Sequence, residues 1–225
     1  IMNHLFRRRD ECHVSLKKIR LHKNIAVSIL MIGIPAGIQN AIFAIANLFV
    51  QVGVNSFDTV MVSGSAAATN ADTLIFNVMY AFYTGCSSFI SQNFGAGNKK
   101  RILQSYFISL FYAFTAGAIL GLLLFLFGHR FLSLFATDEA VIEAGMQRIR
   151  IMSFSYAVSA FMDASLAASR GIGKTIVPTI IIILGSCVFR IVWVYTVFVY
   201  FHTIPGLYLL YFFSWVITAI AEVIY

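Results

Sequence analysis

The stretch from Ile25 to Asn55, IAVSILMIGIPAGIQNAIFAIANLFVQVGVN, decides how the rest of the chain reads. As a helix rising about 1.5 Å per residue it covers roughly 45 Å, more than a hydrocarbon core of about 30 Å. At about 100° per residue, Gly33, Gly37, Asn40, Ala44, Asn47, Gln51 and Asn55 share a narrow arc, with Ile38, Ile42, Ile45, Phe49 and Val52 opposite. An amide facing lipid would strand its donors and acceptors, so the polar arc must face other helices or a watery cavity.

A single amide in a membrane helix is ordinarily a link to a neighbouring helix. Four in register, running most of the membrane's depth, are what a helix lining a solute path requires, because they offer successive hydrogen-bonding sites without fixed charge. The composition agrees with a membrane setting: 60 % of the residues are hydrophobic and only 11 % charged, with a mean hydropathy of +0.85, whereas soluble domains carry about 25 % charge. The net charge of +7 sits in short basic clusters between apolar runs, which argues for membrane topology and against a nucleic-acid partner. Cys12, Cys86 and Cys187 are odd in number and far apart, so neither a disulfide framework nor a zinc site is expected, and no cofactor is called for.

Six spans are expected, at about 25–55, 72–92, 102–127, 140–169, 176–201 and 204–225, giving an all-α polytopic membrane protein. Residues 1–24 form a basic linker, and an outer loop is expected around Phe57 to Ala71. On the second span Asn70, Thr73, Asn77, Tyr80, Thr84, Ser88 and Ser91 cluster on one face, so the first two spans can together wall a cavity. The sequence NFGAGNKKR (93–101) marks an inner loop, His129 to Glu139 a second outer loop, and Arg170 to Thr175 the next inner loop. Of 16 Lys and Arg, only Arg130, Arg148, Arg150 and Arg190 lie outside the amino-terminal segment and the inner loops. Both termini are therefore expected on the cytoplasmic side of a cell membrane. The chain starts at Ile1 and stops within an apolar run at Tyr225, so it reads as part of a longer protein.

Four stretches carry a resemblance: IGIPAGIQNAIFAIANLFVQ (32–51), SAAATNAD (65–72), SFISQNFGAGNKKRI (88–102) and SRGIGKTIVP (169–178). Together they resemble the multidrug and toxic compound extrusion family, in the order and spacing of its carboxy-terminal lobe, helices seven to twelve. The resemblance covers nearly all of residues 25–225. It implies one lobe of a twelve-helix transporter that exports organic cations, drugs or related amphiphiles in exchange for Na⁺ or H⁺. The implied partners are the missing amino-terminal lobe, a small-molecule substrate, the coupling ion and membrane lipid.

Asp163 is the sharpest site candidate, about 10 Å from the inner end of its helix and so within hydrocarbon depth. The resemblance places cation coupling on it, as an exchanger of H⁺ or as the metal ligand if Na⁺ is the coupling ion; a structural carboxylate bonded to hydroxyls or Arg170 is the alternative. Asp72 is a second coupling candidate, although capping of the second helix accounts for it equally well. Substrate contacts are expected from Asn40, Asn47, Gln51, Asn55, Asn77, Tyr80 and Thr84, the Tyr80 ring suiting flat cations. Arg190, roughly 21 Å from the inner surface, is expected to be structural, held by carbonyls or water. Glu222 stays outside the site.

GIGKT (171–175) mimics a phosphate loop, but Ala168 stands where a glycine is required and no strand precedes it, so ATP binding is rejected. The competing readings are a lipid-linked oligosaccharide flippase, for which cationic cleft residues are too few, an intramembrane enzyme, and a structural membrane subunit. Neither G-x-S-x-G nor H-E-x-x-H occurs, and every histidine falls at a loop or helix end, so no enzyme is expected.

Overall fold

A computed structural model describes Arg20 and residues 22–225. Most of the expected basic linker, with Cys12, lies outside the described residues. Six helices follow one another: α1 Lys23–Val54, α2 Thr59–Gly95, α3 Lys99–Leu132, α4 Glu139–Gly171, α5 Ile176–Phe201 and α6 Ile204–Ile224, each long and apolar enough to cross a membrane. Among the described residues there is no strand.

The helix α4 is the axis of the bundle and packs against α2, α3 and α6, while α5 packs against α6 and α1. Its sequence explains its place. Ala144, Gly145, Ser153, Ser155, Ser159, Ala160, Ala164 and Ser165 are all buried and small enough for neighbouring backbones to come close. Most of the buried hydroxyls turn back to their own helix, Ser153 donating to the Ile149 carbonyl at 2.7 Å and Ser159 to that of Tyr156 at 2.9 Å, while Ser165 pairs with the Tyr106 hydroxyl of α3 at 3.0 Å. Two glycines opposite complete the fit. A Cβ on Gly64 of α2 would stand 2.6 Å from the Gly145 nitrogen, and one on Gly121 of α3 would stand 2.2 Å from the Ser153 carbonyl oxygen.

The start of α2 differs from the expected outer loop at Phe57 to Ala71. Helix begins at Thr59, capped by Asp58, whose carboxylate accepts from the Met61 N–H at 2.8 Å. The run SGSAAA (63–68) is poor in large apolar groups because it packs directly on α4, not because it is irregular. The outer loop expected at His129 to Glu139 likewise shortens to 133–138, since α3 continues to Leu132. At the turns after α2 and α4, Gly97 and Gly173 take φ of +69° and +82°, conformations that favour glycine.

On α1 the expected lipid side holds in part: Ile38, Ile45 and Val52 are exposed, whereas Ile42 and Phe49 are half-buried, Phe49 meeting Tyr195 of α5 edge-on at 6.0 Å. The helix α5 is irregular. It widens into π-turns at Ile183–Val188 and again at Val194–Phe198, leaving one α-helical turn, Phe189–Trp193, between them. Helices α1 and α2 scarcely touch each other, and the space between them opens into the cavity described next.

Candidate functional site

The cavity has a volume of about 500 Å³ and takes its walls from α1, α2, α4, α5 and α6. Asn40, Asn47 and Gln51 line it from α1, Asp72 from α2 and Asp163 from α4. Asn55, Asn77, Tyr80 and Thr84 do not. Asn55 lies past the end of α1, where its side-chain oxygen accepts from the Gln51 amide at 2.8 Å. Asn77, Tyr80 and Thr84 are exposed on the free face of α2; Tyr80 stacks on Tyr83 with ring centroids 5.6 Å apart, and the Thr84 hydroxyl turns back to the Tyr80 carbonyl at 2.9 Å. The first two spans both line the cavity, as expected, but the second does so only in its first half. The α2 contribution comes from Thr69, Asp72, Thr73 and Phe76: of the expected polar stripe, Thr73 lines the cavity and the positions from Asn77 on do not.

Asp163 is half-buried in the cavity wall. No side chain among the described residues hydrogen-bonds its carboxylate. Arg170, the partner considered from the sequence, instead donates to the Tyr83 hydroxyl at 2.9 Å and to the Gln39 side-chain oxygen at 2.8 Å. Thr179 reaches the same Gln39 oxygen at 3.3 Å, which ties α1, α4 and α5 together at one end of the cavity.

Asp72 is placed differently. Because α2 begins at Thr59, Asp72 lies four turns inside the helix and cannot cap it. Both of its oxygens are taken: one accepts from Arg148 Nη2 and the other from the Tyr156 hydroxyl. Arg148 also donates to Ser65 Oγ at 2.8 Å, the Ser65 and Tyr208 hydroxyls are 2.7 Å apart, and the guanidinium lies over the Tyr208 ring at 5.1 Å. Asp72 is 3 % exposed and Arg148 9 %, so this is a buried, matched ion pair in which each charge satisfies the other.

Arg190 also lines the cavity and is 1 % exposed. Its partners are side chains, where backbone carbonyls or water were expected. Nη1 donates to the Asn47 side-chain oxygen at 3.0 Å and Nε to the Ser214 hydroxyl at 3.3 Å, with the guanidinium 4.7 Å from the Phe43 ring centre and 4.5 Å from that of Tyr211. Glu222, buried near the end of α6, has no hydrogen-bond partner for either carboxylate oxygen among the described residues.

Sequence reasoning missed Gln39, Arg148, Tyr211 and Trp215. A signal existed for one of them, Arg148. Arg148, Met152, Tyr156, Ser159 and Asp163 follow at steps of three and four, which puts Arg148 on the Asp163 side of α4. Gln39 stands one position from Asn40 and so about 100° away, too far to join the arc by periodicity alone. Among the described residues no group of three or more His, Cys, Asp or Glu side chains converges, so a cation at Asp163 would draw its further ligands from neutral oxygens.

The MatE family model matches residues 35–196. Among relatives, the chain is 27 % identical over 165 residues to the probable multidrug resistance protein NorM of Thermotoga maritima, covering 68 % of this chain and 33 % of that protein. It is 22 % identical over 163 residues to the probable multidrug resistance protein YoeA of Bacillus subtilis, covering 72 % of this chain and 35 % of that one. A solved MOP superfamily transporter from Pyrococcus furiosus superposes with a TM-score of 0.87 at 19 % identity, over 98 % of this chain and 50 % of that structure. The chain thus spans about a third of the length of these relatives and half of the solved transporter.

Proposed function

This chain belongs to the MatE family of multidrug and toxic compound extrusion transporters, and from that premise we propose that it forms one six-helix lobe of a secondary active exporter. The cargo is organic cations, drugs or related amphiphiles, moved out by antiport with Na⁺ or H⁺. Members of this family are transporters, not enzymes, and the six apolar helices are those of a multi-pass membrane protein. A second lobe completes the cleft.

The observation that carries the reading is the Asp163 carboxylate, set in the wall of the cavity without a bonding partner among the described residues. An intramembrane carboxylate left free costs energy that a merely structural group would recover by pairing, as Asp72 does with Arg148. Coupling is therefore assigned to Asp163 and no longer shared with Asp72. Asn40, Asn47 and Gln51 supply adaptable hydrogen bonds to substrate. The polar face of α2, with Asn77, Tyr80 and Thr84, cannot stably face lipid, so it is turned toward the other lobe. The cell membrane, with both ends of this lobe cytoplasmic, follows from the placement of the basic loops.

Ethidium efflux from energised cells carrying the full-length protein tests this. Asp163→Asn should reach the membrane yet lose gradient-driven efflux, and varying Na⁺ and the proton gradient separately should name the coupling ion. Undiminished efflux in the variant would move coupling out of Asp163. Absence of efflux in the unaltered protein would favour the flippase, a reading that otherwise suffers because Arg148 is neutralised by Asp72 and only Arg190 remains as an uncompensated cation in the cavity wall.

A further inference from the structure

We propose that Arg190 is the docking point for an anionic group on the transported solute, so that the cavity accepts zwitterionic or anionic amphiphiles bearing a carboxylate. This shifts the substrate class from plain organic cations to amphiphiles that carry an anionic group, and rests on the transport reading above.

The contrast between the two arginines of the cavity wall carries the argument. Arg148 is a structural cation: Asp72 matches its charge, Ser65 Oγ accepts from Nη1 and the guanidinium lies over the Tyr208 ring, with only Nε unpaired. Arg190 is equally buried, yet among the described residues no carboxylate lies within 4.0 Å of it. Of a guanidinium's five N–H donors, Nε serves Ser214 and one on Nη1 serves Asn47, while the buried Nη2 has no partner; each arginine thus leaves one nitrogen unpaired, and the missing counter-charge is what sets Arg190 apart. Nor does Asn47 compensate the charge, since its oxygen is neutral and is shared with the Tyr211 hydroxyl at 3.4 Å. Leaving an ion so deep and unmatched is expensive unless a ligand completes it.

The geometry around it fits that ligand. The Phe43 and Tyr211 rings lie 4.7 and 4.5 Å from the guanidinium and Trp215 5.9 Å, so aromatic contacts hold the fork that carboxylates engage bidentately. The same rings offer apolar surface to the body of an amphiphile. The backbone supplies a second, independent observation: the single α-helical turn carrying Arg190 is bracketed by π-turns at Ile183–Val188 and Val194–Phe198, a helix distortion that recurs at functional sites.

The test uses the purified full-length protein and two probes that differ at one group, a rhodamine with a free carboxylate and its methyl ester, with binding read by fluorescence anisotropy. The acid should bind about tenfold more tightly than the ester, the worth of one charge-assisted contact. Arg190→Gln should bring that ratio to about one, and Arg190→Lys, which keeps the charge without the fork, should fall between. In the unaltered protein, sodium benzoate should displace the acid more effectively than sodium chloride of the same ionic strength, which tests the site even if the Gln variant fails to fold. Equal affinity of the unaltered protein for acid and ester, benzoate no more effective than chloride, or a folded Arg190→Gln protein that keeps the preference for the acid, would overturn the proposal. Gradient-driven ethidium efflux without any preference for the acid would sink this inference alone. A preference for the acid with no gradient-driven movement of any dye would keep the anion site and sink the transport reading.

Discussion

At the scale of single residues, two aspartates in one cavity wall have opposite surroundings. Asp72 gives one oxygen to Arg148 and the other to Tyr156, so Asp72→Asn strands a buried guanidinium. Breaking a buried pair on one side costs about 3 to 5 kcal/mol, and the thermal unfolding midpoint of the purified protein should fall accordingly. Replacing both partners, Asp72→Asn with Arg148→Met, should recover much of the loss, because no unmatched charge is left behind. Asp163→Asn should leave the midpoint nearly unchanged, since no side chain among the described residues depends on its carboxylate. A large drop with Asp163→Asn would mean that the carboxylate is structural.

At the scale of elements, the bundle depends on close approach at small residues. The Gly121 position on α3 meets the Ser153 carbonyl of α4 with no room for a Cβ, and the contact is with backbone, which cannot swing aside. Gly121→Ala should therefore destabilise by about 1 to 3 kcal/mol through overpacking, whereas Gly33→Ala on α1, where a Cβ meets nothing within 4 Å, should cost nothing and gain slightly in helix propensity. Comparing the two unfolding midpoints checks this. Removing the Asp58 side chain that caps α2 should cost about 1 kcal/mol, a loss that would not occur if α2 began near Asp72.

At the scale of the whole molecule, the α2 stripe separates the possible environments of this lobe. Asn77, Tyr80 and Thr84 are exposed, and so are Phe107 and Phe111 on α3. In a membrane these two surfaces cannot both meet lipid. With the described native cysteines Cys86 and Cys187 buried, Asn77→Cys and Tyr80→Cys in the full-length protein should react with a membrane-impermeant thiol reagent, and Phe107→Cys and Phe111→Cys should not. Protection of the α2 positions by substrate would support their facing the transport path. Equal inertness of all four would place α2 against lipid and remove the case for a polar cleft there.

The fold was largely legible in the sequence, since length, hydropathy and the positions of the basic loops mark six spans, and a membrane leaves the backbone few other choices. What the sequence misjudged was local. The run SGSAAA (63–68) resembles a loop by composition and is helix by packing, because smallness serves a turn and a close helix contact alike. The cavity lining was legible in Asn40, Asn47, Gln51 and Asp163, which periodicity and depth pick out on one helix at a time. Periodicity cannot say which of two polar faces meets a cavity, so Asn77, Tyr80 and Thr84 were indistinguishable from Asn40 and Asn47 until the helices were assembled. The sequence by itself determined a six-span membrane lobe with polar groups at depth, because burial in hydrocarbon forces that pattern on each segment separately. Only the tertiary structure decided that Arg148 is matched to Asp72 from α4 to α2 while Arg190 and Asp163, in the same cavity wall, meet no opposite charge among the described residues, because pairing between charges far apart in the chain depends on how whole helices pack.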